Sequence, residues 1–371
     1  MSDKGKIRPT KITIDVGTAY DFLTSLHVLH EPKKFGVRGA WASGMLARLS
    51  PESRETLGRA QHLMQNPAHI VPSLPEPKNV ETLLWHLARW DAIERLRKLA
   101  CSWYFNDGGC PSILVDVAER GRWTEADRKQ LKGSLQQGSD PEKTVSDEKL
   151  GDILDAWADA EAFGGAYVLA LRNYYEVFFH EEEKRILSAI QVAGERTADR
   201  AEVLSLADLI EEISGGLRFD DLPKAAEFIL APSYWITPLM LRMRIDADRV
   251  LFVFGARPAN DSIVPGETIP DSLVRALKVL SDPTRLRILR LVAERPMGAA
   301  ELARSLRLRT PTVLHHIHGL RLSGLVRISF ADAEKKHRAL LSLRLQGVQG
   351  VMTMLEEFLR PSSEGAGNDD S

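Results

Sequence analysis

Cysteine is nearly absent from this sequence. Cys101 and Cys110 are the only two in 371 residues, too few for a disulfide framework. Long apolar runs are missing as well, and none approaches the ~20 residues of a membrane helix. The opening stretch MSDKGKIRPTKITID lacks the apolar core of a signal peptide. No P-loop occurs, no G-x-G-x-x-G after a strand, no G-x-S-x-G elbow and no internal repeat. These absences argue against a secreted disulfide scaffold, a helical membrane protein and the familiar catalytic motifs. The expectation is a cytoplasmic protein that is not an enzyme, needs no cofactor or metal and makes no membrane contact.

What is there is ordinary in bulk and uneven in detail. The chain is 44% hydrophobic and 27% charged, as a globular protein is. Its length exceeds what one hydrophobic core usually serves, so two or three domains are expected. The net charge of −2 hides an asymmetry. Residues 271–345 hold 15 Lys+Arg against 6 Asp+Glu, residues 1–270 hold 33 against 40, and residues 346–371 hold 1 against 5. A small basic segment on an acidic body is the electrostatic footprint of a nucleic-acid binder. The plain alternative is a chance excess of solvated arginine.

Periodicity divides the chain. Ile12, Ile14 and Val16 alternate in a short strand over 11–16,. TAYDFLTSLHVLHE follows as a helix with Phe22, Leu23, Leu26 and Leu29 on one side. PESRETLGRAQHLMQ reads as a helix capped by Ser50 with Pro51 in its first turn,. NVETLLWHLARWDAIERLRKLACSWY reads as one long amphipathic helix, and the polar stretch 132–149 as an exposed connection,. More helices are expected between 111 and 213. WITPLMLRMRIDADRVLFVFGARP then reads as two strands joined by a turn near Asp246–Asp248,. With strand 11–16 these would close as one small sheet.

The basic segment is denser in signals. Leu273, Ala276, Leu277 and Leu280 give a first helix. Asp282 is placed to cap a second, with Pro283 at its first position and Leu286, Leu289 and Val292 as its stripe. GAAELARSLRL gives a third, and a short turn, RLRT, leads to TPTVLHHIHGL with Thr310 as cap. Gly324 suits the position after that helix. LVRISF and HRALLSL alternate around the polar turn ADAEKK, as a wing would, and GVQGVMTMLEEFLR closes the segment with an amphipathic helix.

Helix, helix, helix–turn–helix, hairpin, helix is the order of a winged helix–turn–helix. The run ALKVLSDPTRLRILRLVAE…AAELARSL…TPTVLHHIHGLRLSGLVRI resembles the DNA-binding domain of ArsR/SmtB-type transcriptional repressors over roughly residues 270–345. The resemblance implies a homodimer that sets two recognition helices into successive major grooves of a palindromic operator. It implies nothing for residues 1–268. The sequence also departs from the metal-sensing members. The third helix, GAAELARSL, has no cysteine pair, and the last offers only the adjacent Glu356 and Glu357, which point about 100° apart.

Three histidines crowd the presumed recognition helix: His315, His316 and His318. On a helical wheel at ~100° per residue, Val313, Ile317 and Leu320 mark the core side. His316 falls beside that stripe, a core-rim position. His315 faces away and His318 lies between, so the three do not converge on one ion. The DNA reading fits better. Arg309, Thr310, Thr312 and His315 lie at the start and outer face of the helix, where base edges and phosphates are met. Lys335, Lys336 and Arg338 on the wing suit minor-groove or phosphate contacts, the alternative being a solvated hairpin tip.

The long N-terminal region is less legible. In HVLHE, with Glu31 beside them, His27 and His30 share a helix ridge with Leu23, but lack a third firm ligand, which favours packed histidines. Cys101 and Cys110 read as buried thiols rather than a redox switch. Trp85, Trp90, Trp103, Tyr104 and Phe105 read as core rather than the lining of an apolar pocket.

The expected fold is mainly α with small β elements. Residues 1–255 form a largely helical α+β domain for effector sensing or dimerisation, and 256–270 a linker. A winged helix–turn–helix with a C-terminal helix occupies 271–360, and 361–371 a disordered tail. The expected function is a sequence-specific transcriptional regulator, a repressor by family habit. It would bind double-stranded DNA as a homodimer through helix 310–323 and wing 326–343, under a small-molecule effector. The rival readings are a small-molecule binder or enzyme with a regulatory winged-helix appendage, and a winged helix turned to protein–protein contact.

Overall fold

The computed structural model describes residues 11–64, 66–104, 111–138, 146–219, 222, 224–330 and 339–360. The tail 361–371, Phe105, Cys110 and the wing residues Lys335, Lys336 and Arg338 lie outside the described residues, as do the side chains of Cys101, Trp103 and Tyr104. Helices predominate, with two small sheets. Contacts divide the chain into two units, one of Met1–Leu206 with Lys224–Ala256, the other of Ala207–Pro223 with Arg257–Ser371.

In chain order the elements begin with β1 (Lys11–Ile14), α1 (Thr18–His30), α2 (Pro32–Phe35), α3 (Gly39–Leu46), α4 (Pro51–Met64), α5 (Val80–Arg89) and α6 (Ala92–Tyr104). Next come α7 (Ser112–Arg120), α8 (Glu125–Gly138), α9 (Asp147–Ala158), α10 (Ala160–Tyr174) and α11 (His180–Val203), the last two joined by a π turn at Tyr175–Phe179. Then α12 (Leu206–Ile213) and β2 (Leu217–Phe219) precede β3 (Glu227–Ser233), β4 (Met240–Arg244) and β5 (Arg249–Gly255).

The first unit is built on a four-stranded sheet of order β1-β3-β5-β4. β1, β3 and β5 are parallel, and β4 runs antiparallel beside β5. The hairpin expected from the sequence is present, with its first strand beginning at Met240 because Ile236–Leu239 form a turn closed by Leu239 N–H to Ile236 O. β3 has no counterpart in the sequence reading. It and β5 are buried along almost their whole length, so they show continuous apolar runs instead of the alternation that marks a half-exposed strand. Two helical readings also change. The long helix over 80–104 breaks at Trp90–Asp91, where Asp91 caps α6 through the N–H groups of Ile93 and Glu94. The polar stretch 132–149 is no simple connection, since α8 runs on to Gly138 and Ser146 caps α9.

α1 sits at the centre. Every residue from Thr18 to Leu29 is buried, as in a helix wrapped on all sides. It packs on β3, α11, α3, α4 and α5. Its polar residues are therefore paired inward. Asn66 donates to Thr24, Ser25 bonds Tyr174, and His27 meets Gln61 at 3.1 Å. His27 is packed against Phe35, and burial lowers its pKa; His30 bonds the Leu26 carbonyl. Asp21 is fully enclosed and receives three donors from the end of β3 and the turn after it, Ser233 Oγ at 2.6 Å, Trp235 N at 2.9 Å and Tyr234 N at 3.1 Å. Phe22, Tyr174 and Phe179 pack beside it, and Phe178 joins them to Trp235. Trp85, half exposed under the Arg89 guanidinium, is not part of this core.

The second unit holds α12, β2, α13 (Asp271–Leu280), α14 (Pro283–Glu294), α15 (Ala299–Leu306), α16 (Thr310–Leu322), β6 (Val326–Phe330), β7 (Ala339–Leu343) and α17 (Leu345–Leu359). Its sheet has the order β2-β6-β7, with β2 parallel to β6. Residues 207–223, which the sequence reading assigned to the N-terminal domain, thus belong by their contacts to the winged unit. Gly216, at φ 119, makes this possible: a Cβ there would meet the Val326 carbonyl at 3.2 Å. Part of the stretch read as a linker is also fixed, since Asp271 accepts from Ser262 Oγ and the Ile263 N–H, both buried residues.

Burial raises the Asp21 pKa to about 7 against its three hydrogen bonds. The native state then holds a proton that the unfolded chain releases near pH 4, so this contribution to stability declines as pH rises from about 4 through 7, by up to about 1.4 kcal/mol per pH unit. Chemical denaturation at stepped pH should show that slope. Asp21→Asn should flatten it while lowering stability by about 1–3 kcal/mol, since an amide cannot accept from all three donors.

Candidate nucleic-acid interface

The winged unit assembles from local signals. Asp282 caps α14, accepting from the N–H groups of Thr284 at 2.8 Å and Arg285 at 3.0 Å. Pro283 occupies the first turn, where its missing N–H costs nothing,. α14 turns Ile288, Leu289 and Val292 inward, α15 Leu302 and Ala303, and α16 Val313, Ile317 and Leu320. α13 packs on α14, α16 and α17, and α15 packs on α16. Gly324, at φ 64, ends α16 through Gly324 N–H to Arg321 O and Leu325 N–H to Leu320 O. Met297 bridges Leu341 and ties the start of α15 to the wing strands.

α16 is held from two sides. The Arg285 guanidinium lies over Gly319, so close that a Cβ there would meet it at 3.3 Å. At the other end Arg275 donates to the Leu322 carbonyl at 3.3 Å, where a cation suits the negative end of the helix dipole. Burial, together with repulsion from Arg257, lowers the Arg275 pKa to about 10 although Asp271 opposes this; the side chain stays protonated at neutral pH.

The outer face is left to solvent. Arg309, Thr310, Thr312 and His315 are all exposed, the first two at the start of the helix and the last two turned away from Val313, Ile317 and Leu320,. The helix begins at Thr310 itself, so the cap position falls to Arg309 and not, as expected, to Thr310. Arginine has no side-chain acceptor, and no side-chain cap bond forms, which leaves the first N–H groups of α16 open to water or an anion. The three histidines diverge. His315 is exposed, and His316 is mostly buried at the core rim with Nδ1 3.9 Å from Asp282 Oδ2. The His315 and His316 rings are 6.0 Å apart at an angle of 63°, and His318 is half-buried. Among the described residues no three His, Cys, Asp or Glu side chains are placed to hold a metal ion.

Two arginines that the sequence reading passed over precede the start of α16. Arg304 on α15 and Arg307 in the turn are both exposed and lead into Arg309. The spacing in RSLRLRT was their signal.

A three-helix core with a helix–turn–helix and an adjoining strand pair is the architecture of a winged DNA-binding domain. Residues 282–327 match the family model described as bacterial regulatory protein, arsR family. The chain thus carries the ArsR-type helix–turn–helix of a DNA-binding transcription regulator, behind a long N-terminal region that the match does not reach. No curated protein and no solved structure matches it. No helix among the described residues is long and apolar enough to cross a membrane.

The Arg285 N–H, and then that of Thr284, hold the Asp282 carboxyl below the usual range against partial burial. Its stabilising effect is therefore complete above about pH 4 and lost as pH falls through the lowered native value. Asp282→Ala should cost about 1 kcal/mol at neutral pH, read as a lower denaturation midpoint, and the loss should shrink in acid.

Proposed function

We propose that the protein is a cytoplasmic, sequence-specific transcriptional repressor that binds operator DNA as a homodimer. α16 enters the major groove and the β6–β7 wing flanks it. The observation that carries this reading is the uncapped, arginine-flanked start of α16, presented outward by a domain that matches the ArsR-family model. Arg309 pairs with a guanine edge or a phosphate, Thr310 and Thr312 bond backbone or bases, and His315 reads a base edge. Lys335, Lys336 and Arg338 on the wing contact phosphate or the minor groove.

The last helix supports the homodimer. Leu345, Val348, Met352, Leu355 and Leu359 recur at alternating steps of three and four, a coiled-coil seam in miniature,. Leu345, Met352 and Leu359 are exposed, while Val351 of the same helix is buried. A second copy of this helix is the partner such a self-complementary stripe fits, and two-fold pairing matches a palindromic operator. The first unit, which carries none of this face, is the seat of effector sensing, and the protein has no catalytic role of its own.

Binding to operator-bearing upstream duplexes should weaken steeply between 50 and 200 mM salt, the steepness following the number of phosphates neutralised. Arg309→Ala and His315→Ala should cut discrimination between sites by about 1–3 kcal/mol per lost base contact, whereas Lys335→Ala should weaken all sequences alike. Equal losses on all sequences from all three variants would refute these roles. In sedimentation, Met352→Glu should shift the chain from dimer to monomer; an unchanged dimer would place the interface elsewhere.

A further inference from the structure

Arg307 is the only residue other than glycine with a positive φ among the described residues, at φ 56 and ψ 41. The conformation is imposed by the way α15 ends. Arg307 N–H bonds Arg304 O at 3.2 Å and Leu308 N–H bonds Ala303 O at 2.9 Å, a helix ending that requires one left-handed residue. A Cβ in that region crowds the following carbonyl, and glycine avoids the cost. Elsewhere this chain follows the rule: Gly36 after α2, Gly121 after α7, Gly215 after α12 and Gly324 after α16 all take positive φ. At the turn of the helix–turn–helix alone, it places an arginine.

Nothing inside the domain accounts for that choice. The Arg307 side chain is exposed, and no hydrogen bond or ion pair of it is found among the described residues. The unfavourable backbone is therefore not offset by an internal contact. Its position is two residues from the cap of α16, between the exposed Arg304 and Arg309, beside N–H groups that no side chain caps. The chemistry that fits a free guanidinium at such a place is a phosphodiester oxygen pair, which it binds bidentately.

We propose that Arg307 is a phosphate-binding residue of the DNA interface, kept at a position where glycine would make a more stable protein. This rests on the DNA-binding reading above. It adds a contact that strengthens binding to every sequence without discriminating among them.

Three variants of the full chain separate backbone from charge. Arg307→Gly removes both the crowding and the guanidinium, Arg307→Gln keeps the crowding and removes the charge, and Arg307→Lys keeps both. Affinity for a random-sequence duplex of about 30 base pairs, long enough for two half-sites, is measured from 50 to 200 mM salt together with the melting temperature. The Gly and Gln variants should each bind roughly three- to tenfold more weakly, with the salt slope reduced by about 0.9 per protomer. The Gly variant should melt about 2–4 °C higher and the Gln variant should not. The Lys variant should keep most of the slope. Wild-type affinity and slope in the Gly or Gln variant would overturn the proposal, as would a lower melting temperature for the Gly variant. A wild-type chain that binds no duplex at any salt would instead bring down the DNA-binding reading, and this inference with it.

Discussion

Glu211 is the residue on which the shape of the winged unit depends. Its carboxylate is mostly removed from water and lies between two guanidinium groups, Arg218 on β2 at 2.8 Å and Arg327 on β6 at 2.5 Å. A carboxylate so placed draws on both cations, because losing either leaves a mostly desolvated charge less well paired. Through it α12 fixes β2 along β6, Leu217 beside Ile328 and Phe219 beside Phe330. The Phe219 and Phe330 rings stack 5.3 Å apart at 15°. A lone β-hairpin is marginal in water. With β2 in place the wing strands become part of a three-stranded sheet, and the strand leaving α16 is paired on both edges.

The origin of β2 gives that pairing its consequence. Residues 207–223 are bounded on both sides by chain of the first unit, α11 before them and β3 after. β3 is the inner strand whose end and following turn are gripped by Asp21 of the buried helix α1. The edge strand of the wing sheet is therefore covalently continuous with the core of the other unit in both directions, in addition to the single crossing at Ala256–Arg257. A winged domain joined by one linker would have no such tie.

How much was legible follows from how local each signal is. The winged unit could be read almost helix for helix because Asp282–Pro283, Gly324 and the alternating Val326, Ile328 and Phe330 act within a few residues of themselves. Ser50 before α4 was readable for the same reason, and its Oγ accepts from Ser53 N–H at 3.1 Å. β2 was not, since three residues carry no period and its partner lies more than a hundred positions away. β3 was hidden by its own burial, which erases alternation, and by Pro232 near its end. The break between α5 and α6 depended on Asp91 turning from a helical residue into a cap, a choice that the apolar spacing around it does not reveal. At α16 the pattern Thr-Pro suggested a capped start, and the structure moves the cap position one residue back to an arginine that cannot perform it.

That one-residue shift matters to how the interface divides its work. The outward face of α16 holds Thr310, Thr312, Leu314 and His315, side chains that form hydrogen bonds or apolar contacts and carry no fixed positive charge. Arg304 and Arg307 stand before it, and Arg309 holds the cap position where turn and helix meet. Contacts to phosphate position a protein on DNA without reading it, and contacts to base edges read it. In the proposed complex the turn therefore supplies affinity and the helix face supplies choice. The cluster of three histidines fits this division better than it fits a metal site. Of the three, only His315 lies on the outer face, while His316 serves the packing beside Asp282 and His318 is half-buried. Side chains turned in three directions have no common point at which to meet an ion, but one of them is placed where a base edge would lie.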